Sequence, residues 1–220
     1  MAKQLSAKQW ASSGLKKVKP VDLLKKPTVE ERYRVGDIVL FRSKDSGLLL
    51  NMMFKMQTTF DKSEACHAEI IFSANGYDTV TLGSACDGLK WREQTIGAEH
   101  KVLRVNDTSP FDTETKMKIM EELFKEKGEQ YGKSYPFINT AVSGVNRALD
   151  YVTIGLFKRI DLGLYSGSAD CSATVAQLLY MIYPGKLISR KCDRDLIPAR
   201  MVTPGDLDNA VGMNVVKDWG

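Results

Sequence analysis

Histidine is scarce in this chain of 220 residues: there are two, His67 and His100. Cysteine is little commoner, with Cys66, Cys86, Cys171 and Cys192, and no two of them form a CxxC pair. The steps from His67 to Cys86 and from Cys86 to His100 are 19 and 14 residues. They match no familiar zinc pattern, so neither a resident metal nor an organic cofactor is expected. Long apolar runs are missing too. "GLLLNMMF" and "ATVAQLLYMIY" fall well short of the roughly 18 residues of a membrane span. The opening "MAKQLSAKQWASSGLKKVK" lacks the apolar stretch of a secretory signal. Reduced thiols in a cytosolic setting are therefore expected. Aromatic residues are sparse among the first 34 positions (Trp10 and Tyr33), which argues against a stacking platform for nucleic acid. There is no internal repeat and no low-complexity block.

What is present is a globular composition, 43% apolar, enough for one sizeable core. The net charge of +4 is unevenly spread. Residues 1–34 hold nine Lys/Arg and three acids, a net +6, while the remainder is −2. We therefore divide the chain into a basic arm, 1–34, and a domain, 35–220. The arm is a candidate contact for an acidic partner or a membrane surface, without specific nucleic-acid recognition.

"YRVGDIVLFRS" reads as a buried strand opened by a Gly-Asp turn. "CHAEIIF", "TVTLGSA", "GLKWREQ" and "HKVLRVN" continue it as an antiparallel meander of about four or five strands. "GLLLNMMFKMQ" has helical spacing. "DTETKMKIMEELFKEKG" predicts a helix capped at Asp112 or Thr113, with an apolar face at 117, 120, 123 and 124. "CSATVAQLLYMIY" predicts a second helix, ended by Pro184-Gly185, and "VTPGDLDNAV" a turn with a short helical piece. Residues 133–165 read as a helical insertion. The fold class expected is α+β, an antiparallel sheet packed against the helix that starts at Cys171.

The chemistry concentrates in two places. Cys171 opens a helix, where unpaired backbone N–H groups and the positive end of the helix dipole favour a thiolate. The flexible "YSGSADCS" before it should leave the sulfur accessible. His67 heads a strand expected to present it on the helix side of the sheet. Glu69, two residues on, shares its face and is placed to polarise the ring. Cys66 should point to the opposite side. His100 lies in the charged "GAEHKV" and reads as exposed.

The order "VGDIVLF", "HAEIIFSANG", "GSACDGLKWRE", "DCSATVAQLLY", "VTPGDL" resembles circularly permuted papain-like hydrolases of the NlpC type, and more closely their phage- and virus-encoded members. The resemblance covers roughly residues 35–90 and 165–210. It implies a permuted papain-like fold with a half-barrel sheet and a cysteine peptidase or amidase activity. Cys171 would be the nucleophile, His67 the acid and base, and Glu69 the orienting third member. In many relatives the orienting residue stands on the following strand, at a position that falls near Ser84 here, a poor orienter. Relatives also often have Glu where this chain has Ala173. The substrates implied are peptides, isopeptides or peptidoglycan stem peptides, and the location a host cytoplasm or a virion. Two rival expectations stand beside this one. The first is a thiol acyltransferase or lipid-ester hydrolase; the second is a non-catalytic virion or host-binding protein that retains the fold.

Overall fold

The computed structural model describes residues 3–5, 32–42, 63–85, 88–106, 109–127, 171–184, 199 and 202–220. Seven strands form one sheet: β1 (Lys3–Leu5), β2 (Ile38–Arg42), β3 (Ala65–Asn75), β4 (Asp78–Ala85), β5 (Gly88–Thr95), β6 (His100–Val105) and β7 (Met213–Lys217). Their spatial order is β1-β5-β4-β3-β2-β6-β7. Every neighbouring pair is antiparallel. Three helices accompany the sheet among the described residues: α1 (Thr113–Lys127), α2 (Cys171–Ile182) and α3 (Pro204–Asp208). The α+β class with an antiparallel sheet thus stands. None of these helices is long and apolar enough to cross a membrane. The helical reading of 47–57 and the helical insertion at 133–165 lie outside the described residues.

Local chemistry explains the element ends. The backbone N–H of Thr115 donates to Oδ1 of Asp112 at 2.8 Å, capping α1. Lys125 and Lys127 occupy its last turn, where the dipole favours cations. α3 opens on a capping box, Thr203 with Asp206, followed by Pro204 in its first turn. The tight β3–β4 turn needs a positive φ at Gly76, +65°.

Strand alternation sorts the sheet into two faces. Ile38, Leu40, Ala68, Ile70, Phe72, Leu82 and Trp91 share one cluster with Met117, Met120, Leu123, Val175, Leu178 and Ile182 of α1 and α2. Val39, Ile71 and Val102 belong to a smaller cluster on the reverse face, with Tyr33 and Ile96. α2 packs on β3 and β4, and α1 against α2 and β5.

The sheet is wider than the expected meander. β1 pairs Lys3–Leu5 with Trp91–Glu93, so part of the basic arm is a sheet edge. Tyr33, also placed in that arm, is buried. β7 closes the far edge against β6. It is short, and its central Asn214 and Val215 are exposed, so it carries no apolar alternation to signal a strand. His100 is another correction. It is buried, not exposed, because it begins β6 and its Nδ1 accepts the N–H of Gly97 at 2.8 Å. The ring of Phe41 meets it edge-on at 4.8 Å.

Ile70 is fully enclosed between α2 and the sheet. Ile70→Ala should cost about 2–5 kcal/mol in denaturant unfolding. Val215→Thr, on the half-exposed edge, should stay within about 0.5 kcal/mol.

Candidate active site

His67, Glu69, Thr81, Gly83, Arg92 and Gln94 come from three adjacent strands, β3, β4 and β5. Their alternation with Ala68, Ile70, Leu82 and Trp91 puts them on the reverse face of the sheet, away from the body of α2. This corrects the expectation that His67 faces the helix side. The pairing of His67 with Glu69 holds: Nε2 of His67 lies 2.9 Å from Oε1 of Glu69. The i, i+2 spacing on one strand is enough to bring them together.

Glu69 has no exposure to solvent. A buried carboxylate must find donors or be neutralised, since its desolvation costs several kcal/mol. Here it finds three more besides the ring. Thr81 donates its hydroxyl to Oε2 at 2.5 Å, and the Gln94 amide reaches the same oxygen at 3.4 Å. Gln94 also holds the Thr81 oxygen at 3.0 Å. Arg92 forms an ion pair with Oε1. Its Nη1 also lies 3.1 Å from Nε2 of His67. Arg92 is itself buried, which pushes its pKa down, while the charge of Cys171 pulls it back up.

The carboxylate has room because β4 provides none of the filling. A Cβ built on Gly83 would stand 2.5 Å from Cγ of Glu69 and 2.9 Å from Cδ and Oε1. Glu69 on β3 thus occupies the volume that a side chain on β4 would take. The carboxylate beside His67 comes from the histidine's own strand, and Ser84, next to Gly83, is buried.

Cys171 is the first residue of α2 and is not in a disulfide. It is 3% exposed, so the accessible sulfur expected from the preceding loop is not seen. Its charge is felt by both Cys66 and Arg92, the groups that flank His67 in sequence and in space. Among the described residues, the partners of His67 are Glu69, Arg92 and the ring of Phe41 at 5.2 Å.

Cys66 does not simply alternate with His67. The register passes from Phe41 opposite His67 to Arg42 opposite Ala65, leaving Cys66 as the extra residue of a bulge. Its thiol donates to the carbonyl of Phe41 at 3.3 Å. Burial, and secondarily the charge of Cys171, pushes its pKa up to about 12. No set of three or more His, Cys, Asp or Glu suited to a metal occurs among the described residues.

Sequence reasoning missed Arg92. The signal was present in "GLKWREQ", where Trp91 and Arg92 alternate and the strand must turn a cation inward if Trp91 faces the helices. The partner that makes this tolerable, Glu69, is more than twenty positions away.

No protein-family model matches this chain, and no curated protein matches it either.

Two outcomes follow from the packing. Gly83→Ala forces Glu69 to move and should destabilise the fold by about 1–3 kcal/mol, read by chemical denaturation. Cys66, neutral until about pH 12, should resist alkylation at pH 8, and its rate should rise about tenfold per pH unit. Mass-spectrometric mapping of the folded protein checks this.

Proposed function

We propose that this chain is a cysteine-dependent hydrolase of amide bonds with a permuted papain-like, half-barrel fold. The observation that supports it most is the 2.9 Å contact between His67 and a fully buried Glu69. An imidazole tied to a desolvated, multiply hydrogen-bonded carboxylate is costly to build and suited to acid–base work. The helix that opens on Cys171 packs against β3, the strand that carries both, and against β4.

In this reading Glu69 engages Nε2, which leaves Nδ1 of His67 to exchange a proton with the thiol. The Cys171 thiolate adds to the carbonyl carbon, and backbone N–H groups at the start of α2 hold the oxyanion. The carbon–nitrogen bond breaks as the imidazolium gives its Nδ1 proton to the leaving amine. The neutral ring then takes a proton from water, whose oxygen displaces sulfur from the thioester. The acid is released and Cys171 recovers its proton. No metal or organic cofactor enters the scheme. The substrates proposed are peptides, isopeptides or peptidoglycan stem peptides. The setting proposed is a host cytoplasm or a virion, with the basic arm against an acidic partner or membrane surface. An acyl-transfer or lipid-ester reaction would need an apolar cleft from 47–54 and 152–157, which lie outside the described residues.

One observation favours a second reading. Cys171 is 3% exposed. A thiol that stays covered fits a non-catalytic virion or host-binding protein that keeps the fold.

Labelling with an acyl electrophile at about pH 6, mapped over time by mass spectrometry, separates the two. The hydrolase reading expects Cys171 to react first, because an ordinary thiol is well under 1% ionised there. His67→Ala should slow that reaction by about 10²–10⁴-fold, and Glu69→Gln by less. Equal labelling of Cys86, Cys171 and Cys192, unchanged by loss of His67, would remove the nucleophile and favour the binding protein.

A further inference from the structure

Asp208 ends α3, a place where the helix dipole favours a cation, so the helix itself gains nothing from this carboxylate. Its bonds go to two other elements. Oδ2 accepts the hydroxyl of Ser63 at 2.6 Å. Nζ of Lys101, on β6, stands 2.8 Å from Oδ1, close enough for an ion pair though not aligned as a hydrogen bond. Burial lowers the Lys101 pKa, but Asp208 and Asp218 outweigh that and raise it, so the ammonium stays charged. Ser63 in turn accepts the N–H of Ala65, the first residue of β3, at 3.0 Å. β2 runs between β3 and β6. Asp208 therefore clasps both neighbours of the strand whose Phe41 lies against His67.

The other end of the same segment holds α2. Ser172, next to Cys171, donates its hydroxyl to the carbonyl of Val202 at 2.6 Å. Val202 directly precedes Thr203, the N-cap of α3, and the capping box of Thr203 with Asp206 stiffens the turn between. One short helix thus carries the residue after Cys171 at its start and the beginning of β3 at its end. His67 is the third residue of that strand. Leu207 already anchors α3 in the apolar core. Apolar contact is non-directional, whereas these hydrogen bonds fix a direction and a distance. A covered ion pair is also weak evidence for stability alone, since apolar residues would avoid its desolvation cost.

We infer that Asp208 is a positioning residue: through α3 it ties the start of β3 to the start of α2, and so sets where His67 stands relative to Cys171. Its chemical consequence rests on the Cys171–His67 reading. A proton passes between thiol and imidazole only over hydrogen-bond distance, and a misplacement of about 1 Å can cost on the order of 100-fold. Without the tie, the start of β3 is free to shift against α2, and the thiolate loses its imidazolium partner.

Iodoacetamide alkylation of Cys171 in the full chain, followed against pH, reads that consequence, and amide hydrogen exchange reads the tie. In the wild type the paired thiolate should react at about pH 6 and gain little up to about pH 8. In Asp208→Ala the rate at about pH 6 should fall roughly tenfold or more, then climb about tenfold per pH unit as an unpaired thiol does. Ser63→Ala, which removes one hydroxyl, should do the same, and it carries the test if Asp208→Ala does not fold. Asp208→Asn keeps an acceptor for Ser63 and should stay within about threefold of the wild type. Met120→Ala opens a cavity in the core beneath α1 and should weaken the fold without changing the pH profile. The Ala65 amide should exchange roughly tenfold or more faster in Asp208→Ala, measured relative to Leu82 of β4. Unchanged relative exchange at Ala65 overturns the tie, and so does Asp208→Asn as slow as Asp208→Ala. Faster exchange with an unchanged Cys171 profile overturns the positioning role, as does Ser63→Ala with a wild-type profile. A Met120→Ala chain shifted as far as Asp208→Ala reduces the effect to lost stability and overturns it too. If His67→Ala leaves wild-type Cys171 labelling untouched, the hydrolase reading fails, while exchange at Ala65 still decides whether Asp208 ties β3 to α3.

Discussion

A carboxylate with no contact with water sits on the reverse face of the sheet, and its neighbours are arranged around its needs. Glu69 is ringed by a hydroxyl, an amide, a guanidinium and an imidazole from three strands. Such a group is tolerable only when its lone pairs are filled, since removing any partner leaves charge exposed to a low-dielectric interior. Its partners come together through the register of β3, β4 and β5. The carboxylate also explains the bare backbone at Gly83, where any side chain would collide with it.

The opposite face follows a different rule. There the contacts are apolar, and α1 and α2 cover Ile70, Phe72, Leu82 and Trp91 with methionine, leucine and isoleucine side chains. The two faces meet near Cys171, the first residue of α2. It is buried, and a thiolate there would act on both Cys66 and Arg92. The bulge at Cys66 breaks the strict alternation of β3 at the point where His67 begins.

Cys66 and Cys171 show how environment separates two like groups. Cys66 is desolvated, donates to a carbonyl, and has its pKa pushed up to about 12. Cys171 stands at the start of a helix, where the dipole favours thiolate. Their mutual repulsion also works against ionising both.

The sequence by itself determined what is local. The i, i+2 spacing of His67 and Glu69 put them on one face, because side chains of a strand repeat every two residues. Periodicity marked α1 and α2, and "VTPGDLDNAV" read as a turn with a short helical piece where α3 lies. Tertiary structure decided the rest. The faces of β3 followed from which alternate residues α2 covers, so the sequence could pair His67 with Glu69 but not say which way they look. His100 reads as a turn residue until β6 and Phe41 enclose it. β7 is short and exposed at its centre, and β1 has only three residues; they become strands only when β6 and β5 supply hydrogen bonds. Arg92 joins Glu69 through strand register, a long-range property that no local pattern carries.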